Sequence, residues 1–295
     1  VRVTAAAFTN LSHDHLDYHG DEDTYLRAKL RLFCDLLIDG GAGVVNADQA
    51  YAETVVAACR ARGLTVLRFG ENGDRLRLIS RVARADGQDL TIDVDGATHE
   101  LTLPLVGAFQ ASNALCALGL ALVSGADTRA AVDALRSLRG ATGRMELIGT
   151  TASGAAVYVD YAHKPDALSA ALKALRPHTA SKLAVVFGCG GDRDRAKRPI
   201  MGAIAAECAD AVFVTDDNPR GEDPDAIRRE IMQACPDATE IGDRRAAIEA
   251  GLDGLGEGDA LLVAGKGHET GQIVGERTFA FNDAEEIRRL IGGAS

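Results

Sequence analysis

The sequence predicts an α/β protein whose later half is built on an open, mostly parallel sheet. Three observations carry this reading. From Ala155 onward, short apolar runs alternate with helical patterns. The runs are nearly continuous in hydrophobicity, as strands covered on both faces must be. Each chemically unusual segment of this half directly follows one of them: "DYAHKPD", "GCGGDRDRAKRP", "DDNPRGEDP" and "GKGHETG". Ligands in open sheets sit beyond the carboxyl ends of the strands, so the four segments are expected to share one rim.

The elements follow in order. "VTAAAFTN" reads as a buried strand ending in the polar loop "LSHDHLDYHGDED". "TYLRAKLRLFCDLL" then places Tyr25, Leu26, Lys29, Leu30 and Phe33 at helical spacing. "AGVVNA" and "LTVLRFG" are strands, separated by the helix "QAYAETVVAACRARG", which stops at Gly63. "LTIDVDGATHELTL" is a hairpin, because Asp95-Gly96 supplies the positive φ values of a type I′ turn. "NALCALGLALVSG" and "TRAAVDALRSL" are helices, and the character of the chain changes near Thr142 to Glu146. Beyond it come strand "AAVYVDYA", helix "PDALSAALKALRP", strand "KLAVVFGCGG", helix "RPIMGAIAAECA" and strand "AVFVTD". Helices "DPDAIRREIMQAC" and "DRRAAIEAGLDGL" and the strand "DALLVAG" complete the series.

A chain of 295 residues favours two domains. Its net charge of -11 excludes a general nucleic-acid or membrane-surface binder, which needs a basic face. Anion binding must then be local, and "DRDRAKR", Asp192 to Arg198, is the candidate. The six cysteines lie far apart without metal-ligand spacing, as in a reduced cytoplasmic protein. No apolar run reaches a membrane span. The chain opens at Val1 inside an apolar run, which suggests a preceding segment.

Several motifs carry chemistry. In "GCGGDRDRAKRP" the glycines free backbone N–H groups, and Pro199 sits at a helix N1, so the segment can hold an anion or be a turn with a solvated basic edge. It matches neither common nucleotide fingerprint, and no G-x-x-x-x-G-K-[ST] occurs in the chain. "DDNPRGEDP" packs carboxylates, an amide and an arginine at a strand end, which fits either a surface turn before a capped helix or a pocket for a zwitterion. "GKGHET" offers Lys266, His268 and Glu269, or else a hairpin entry with solvated charges. Three of the seven histidines fall in "NLSHDHLDYHG", where one of them can help hold a magnesium ion. Lys29 stands among apolar helix positions, where a bare ammonium is costly to bury unless it snorkels.

In order, "FTNLSHDHLDYHG", "YLRAK", "GAFQASNALCAL", "GRMEL", "VDYAHKPDAL", "VFGCGGDRDRAKRPIMG", "VTDDNPR" and "LVAGKGHE" resemble the motifs of the Mur ligases over essentially the whole chain. The resemblance implies part of the family's central ATP-binding domain over residues 1–142, then a Rossmann-like C-terminal domain with a mostly parallel sheet over 143–295. It implies a cytoplasmic, monomeric enzyme of peptidoglycan synthesis that uses ATP and Mg2+. The family phosphorylates a substrate carboxylate, and an amino acid's amine then attacks the acyl phosphate. Lys29 aligns with a lysine that is carbamylated into a metal ligand, His15 with a second metal-site residue, and His163 lies near the reaction. Asn113, Arg144 and Asp160 match nucleotide contacts to adenine, phosphate and ribose. Arg193, Asp217, Asn218, Pro219, Arg220, Gly265 and Glu269 match the pocket for the added amino acid. The "DNPR" form looks like the version that selects meso-diaminopimelate, added to UDP-N-acetylmuramoyl-L-alanyl-D-glutamate. Arg220 would pair the distal carboxylate while Asp217 and Glu269 face the ammonium.

The family's phosphate loop and uridine-nucleotide domain are expected upstream of Val1, so this chain is expected to be inactive alone. His13 and Gln110 also depart from residues that relatives carry. Domain closure is expected, with Asn113 and Arg144 grouped on one side of the boundary and Asp160 on the other. Two alternatives stand beside this reading. One is a non-catalytic amino-acid-binding remnant; the other is a related amide ligase such as a folylpolyglutamate or cyanophycin synthetase, which the paired "DNPR" and "GKGHE" disfavour.

Overall fold

The computed structural model describes residues 1–11 and 20–292, so His13, His15 and His19 lie outside the described residues. The chain forms two compact units, residues 1–83 with 87–138, and residues 84–86 with 139–295.

The first unit holds a six-stranded sheet in sequential order: β1 (Val3–Phe8), β2 (Leu37–Asn46), β3 (Thr65–Gly70), β4 (Leu76–Arg84), β5 (Gly87–Val94) and β6 (Ala97–Leu103). β1 through β4 pair in parallel, and β5 with β6 form the expected antiparallel hairpin. Its turn has φ of 50° at Asp95 and 89° at Gly96, as a type I′ turn needs. Helix α1 (Glu22–Arg31), capped by Asp21, ends earlier than the periodicity predicts. A π-helical turn, Leu32–Leu36, follows and leads straight into β2. The extra residue in that turn keeps Phe33 buried while the chain reverses.

Helix α2 (Ala52–Ala61) lays Val55, Val56 and Cys59 with Phe8, Phe33 and Val45 on one face of this sheet. Helices α3 (Ala108–Val123) and α4 (Thr128–Leu135) cover the other, burying Leu115, Leu118 and Val132 against Leu67, Phe69 and Ile92. Strand β4 has no counterpart in the sequence reading. Its exposed Ile79 and Val82 and its arginines blur the period-two signal.

The second unit's sheet runs β11-β10-β9-β12-β8-β7. These strands are β7 (Glu146–Thr150), β8 (Ala156–Asp160), β9 (Leu183–Phe187), β10 (Ala211–Val214), β11 (Thr239–Glu240) and β12 (Ala260–Ala264). All pairs are parallel except β7 with β8. Helices α5 (Pro165–Leu175), α6 (Lys197–Cys208) and α7 (Pro224–Met232) link β8 to β9, β9 to β10 and β10 to β11. Helix α8 (Arg244–Leu252) returns the chain to β12, which inserts between β8 and β9. That reversal creates a switch point, and there the strand ends leave room for a ligand.

Ala247 and Ile248 of α8 and Ile287 of α9 (Asp283–Gly292) pack with Val157, Val186 and Val263 in one core. The sequence reading lacks β7, α9 and the hairpin of β13 (Gly271–Val274) and β14 (Arg277–Ala280). The hairpin's exposed residues show no core face. It follows "GKGHET" as the hairpin reading of that segment had it, but Lys266 there is buried rather than solvated.

Candidate functional site: a charged cavity at the strand ends of the second unit

The four segments do meet at the carboxyl ends of β8, β9, β10 and β12. A cavity of 670 Å³ is lined by residues of all four, among them His163, Arg193, Asp217, Asn218, Arg220, Gly265 and Glu269. The β9 and β10 loops lie against each other closely enough to demand glycine. A Cβ on Gly191 would come within 1.9 Å of the Pro219 carbonyl, and the Gly191 N–H donates to the Asn218 carbonyl at 3.0 Å. At the head of the β12 loop, Gly265 has φ of 119°, and a Cβ there would fall 2.4 Å from Asp217 Oδ2. The absent side chain is what lets the buried Asp217 carboxylate reach the floor of the cavity.

Asn218 is the hub of this floor. It adopts φ of 45°, a conformation that asparagine tolerates better than most residues. Its Oδ1 accepts from Lys266 Nζ at 3.0 Å and from the Ile273 N–H at 2.9 Å, and its Nδ2 donates to Glu269 Oε2 at 2.9 Å. Lys266 has no exposed surface and lies 3.4 Å from Asp217 Oδ1 and 3.7 Å from Glu269 Oε2. Burial holds its pKa below the usual lysine value. Beneath, Arg244 is buried with Asp283 in a two-point ion pair at 2.7 and 2.8 Å and donates to the Ala264 carbonyl. The sequence reading misses this pair, since Asp283 opens a helix that it does not contain.

Arg220 also has positive φ, 51°. Two backbone bonds hold it there, its N–H to the Ile273 carbonyl at 3.1 Å and its carbonyl from the Gly275 N–H at 2.7 Å. Its guanidinium Nη1 donates to the carbonyls of Gly191 at 3.0 Å and Asn218 at 3.3 Å. Among the described residues it has no carboxylate partner. Arg193 is exposed on the same rim and donates to the Asp192 carbonyl at 3.0 Å.

The expected basic cluster is mostly spent on structure. Arg198, fully buried, bonds Glu222 at 2.8 and 3.0 Å and Glu230 at 2.9 Å. Arg195 also pairs with Glu230, and Lys197 Nζ donates to the His163 carbonyl at 2.7 Å. Pro199 sits third in α6 rather than first. The Arg198 bonds hold the Glu222 carboxyl down to about 2.

On the β8 side, Asp160 accepts from the Met145 N–H at 2.7 Å and the Ala162 N–H at 2.8 Å. Burial nevertheless raises its pKa. Arg144 stacks over the Tyr161 ring at 4.8 Å, and Tyr161 meets the His163 ring edge-on at 4.5 Å. Arg144 therefore belongs to the same unit as Asp160, which corrects its grouping with Asn113: the chain crosses into the second unit at Arg139, before "GRME".

In the first unit, Asn113 is exposed on α3, and its Nδ2 donates to Gln110 Oε1 at 3.2 Å. Lys29 is half-buried, not sealed among apolar residues. Its Nζ donates to the Asn10 carbonyl at 2.9 Å and lies 4.9 Å from the Tyr25 ring, in a cleft lined by Thr9, Asn10 and Phe33. Among the described residues no three His, Cys, Asp or Glu side chains converge on a metal position. The cleft does leave the Lys29 amine reachable, as conversion to a carbamate requires, while its proposed partner His15 lies outside the described residues.

A doubly covered, mostly parallel sheet with convergent ionic loops at its switch point defines a small-molecule-binding α/β protein. The chain belongs to the Mur ligase family. Residues 1–121 match the Mur ligase middle domain and residues 143–267 the Mur ligase glutamate ligase domain. It is 52% identical over 293 residues to the UDP-N-acetylmuramoyl-L-alanyl-D-glutamate--2,6-diaminopimelate ligase of Caulobacter vibrioides, covering 99% of this chain and 60% of that protein. The ligase of the same name from Mesorhizobium japonicum is 52% identical over 291 residues, with coverages of 99% and 60%. A solved structure of a ligase of that name superposes with a TM-score of 0.78 at 35% identity, covering 99% of this chain and 61% of the other. The chain thus spans about 60% of the length of the curated relatives it matches.

Proposed function

We propose that this protein acts in the cytoplasm in the ATP-dependent addition of meso-diaminopimelate to UDP-N-acetylmuramoyl-L-alanyl-D-glutamate, with the second unit supplying the amino-acid pocket. The observation that carries the substrate choice is Arg220. A half-buried guanidinium bonded only to carbonyls, on a cavity shared with Asp217 and Glu269, complements an amino-carboxylate end. L-Lysine has the ammonium but no second carboxylate, so it would leave Arg220 unpaired. Pairing of this guanidinium with the distal carboxylate therefore favours meso-diaminopimelate over L-lysine without a steric block.

In this reading the substrate carboxylate is phosphorylated by ATP, the amine of meso-diaminopimelate attacks the acyl phosphate, and phosphate leaves. Asn113, Arg144 and Asp160 contact the nucleotide, and the Tyr161 ring that steadies Arg144 also braces His163. Lys29, as its carbamate, and His15 would be the residues to hold Mg2+, which when bound would neutralise phosphate charge. Arg193 at the mouth of the cavity attracts a substrate carboxylate, and Pro219 stiffens the turn that presents Arg220.

Calorimetric titration of the chain with meso-diaminopimelate and L-lysine tests the pocket. Binding of meso-diaminopimelate alone, lost in Arg220→Ala, is the expected result. Equal binding of L-lysine, or no binding of either, overturns it.

A further inference from the structure

Among the described residues Lys266 is the only buried lysine. Its ammonium donates to Asn218 Oδ1 at 3.0 Å and to the Gly271 carbonyl at 2.8 Å, and both Asp217 and Glu269 approach it within 4 Å. Because Lys266 and the Ile273 N–H both donate to Asn218 Oδ1, the amide has one orientation, and its Nδ2 must point to Glu269. A buried ammonium is a poor way to gain stability, since an apolar side chain of similar volume avoids the desolvation cost. Its placement calls for a role in what the cavity binds.

The charges define that role. Asp217 and Glu269 together carry two negative charges, and Lys266 offsets one. With Arg220 the four side chains sum to zero, the net charge of one ammonium and one carboxylate; Arg244 beneath them is neutralised by Asp283, and Arg193 stands exposed at the rim. Without Lys266, the two carboxylates would lack the cation that both approach within 4 Å, and their mutual repulsion would favour taking up a proton. An incoming ammonium would then have to expel that proton.

We propose that Lys266 is a positioning residue for amino-acid recognition: it gathers the Asp217 and Glu269 carboxylates, orients the Asn218 amide, and leaves the acid pair with a charge that suits a single substrate ammonium. The proposal rests on the amino-acid pocket assigned above. Lys266 sits behind the acids and acts through them.

The test uses the whole chain and its Lys266→Met variant, an unbranched side chain one atom shorter that removes the charge. Meso-diaminopimelate is titrated calorimetrically at pH 7 in two buffers of different ionisation enthalpy, and the Asp217 and Glu269 carboxyls are followed by carbon NMR against pH. The unmodified chain is expected to bind without net proton exchange. Lys266→Met is expected to bind at least tenfold more weakly and to release a proton on binding, with one of the two carboxyls titrating above the usual range. Adding Asp217→Asn to Lys266→Met should abolish the proton release. Unchanged affinity, or weakened binding with no proton release and no raised carboxyl, overturns the proposal. If the unmodified chain fails to bind meso-diaminopimelate, the functional reading falls. The carboxyl titrations still decide about Lys266, because a pair that titrates identically in both proteins shows that the lysine does not hold it.

Discussion

Arg220 combines two properties that substitution can separate, a charge aimed at the cavity and a backbone in the left-handed region. A non-glycine residue there costs about 1–2 kcal/mol. Arg220→Gly should therefore match or exceed the parent in thermal stability, and Arg220→Ala should not, while both lose meso-diaminopimelate binding. If Arg220→Gly lowered the melting temperature by several degrees, the guanidinium's bonds to Gly191 and Asn218 would be holding the loop rather than awaiting a ligand. Lys29 offers a second check at this scale. With labelled bicarbonate, carbon NMR should show a carbamate resonance that is absent from Lys29→Arg, because only the neutral amine adds carbon dioxide. Residue types at strand ends were legible in the sequence; their pairings were not. Arg193 and Arg198 occupy one short basic run, yet one is exposed on the cavity and the other buried against Glu222 and Glu230. Only the direction of a side chain separates them.

Between elements, Arg198 ties α6 to α7 through Glu230 and to the loop before α7 through Glu222. Replacing it with methionine strands two carboxylates and should cost about 3–5 kcal/mol, read as a lowered denaturation midpoint. The Glu222 carboxyl, held at about 2 by Arg198, makes the same joint acid-sensitive. Its folded pKa lies below the unfolded value, so its contribution is complete above about pH 4.5 and declines as pH falls toward 2. Glu222→Gln should flatten the stability profile across that window; an unchanged slope there would rule out this pair as a source of acid lability. Gly191→Ala tests the loop contact itself. Its Cβ would collide with the Pro219 carbonyl, so the variant should lose both stability and meso-diaminopimelate binding. Helices were legible where a buried aliphatic stripe repeated over several turns, as in α5 with Leu168, Leu172 and Leu175, but not in α9, whose buried face mixes Ala284 and Ile287 with Asp283 and Glu286. Strands β4, β7, β13 and β14 were not, since their residues are mostly half-buried or exposed and lack a clean alternating core face, although each pairs with a near neighbour in the chain.

At the scale of the chain, each unit has apolar clusters of its own, around Leu67 and Val45 in the first and Val186 in the second. Calorimetric unfolding should resolve two transitions, and meso-diaminopimelate should raise only the one belonging to the second unit, by about 2.7 kcal/mol at a hundred times its dissociation constant. A ligand shift in both transitions, or a single transition, would contradict that independence. No helix among the described residues is long and apolar enough to cross a membrane.

The alternation of β8, α5, β9, α6, β10, α7, α8 and β12 in the second unit, the four loops at its strand ends and the likeness to the Mur ligases were set by the sequence alone, because hydrophobic period and motif order are local properties. Three things depended on the tertiary structure: the insertion of β12 between β8 and β9, the placement of Arg144 beside Tyr161 rather than with Asn113, and the gathering of Asp217, Asn218 and Glu269 around Lys266. Most of those contacts join residues far apart in the chain, such as Asp217 with Lys266 or β8 with β12, and nothing local encodes which charged side chains face one another once the strands are laid side by side.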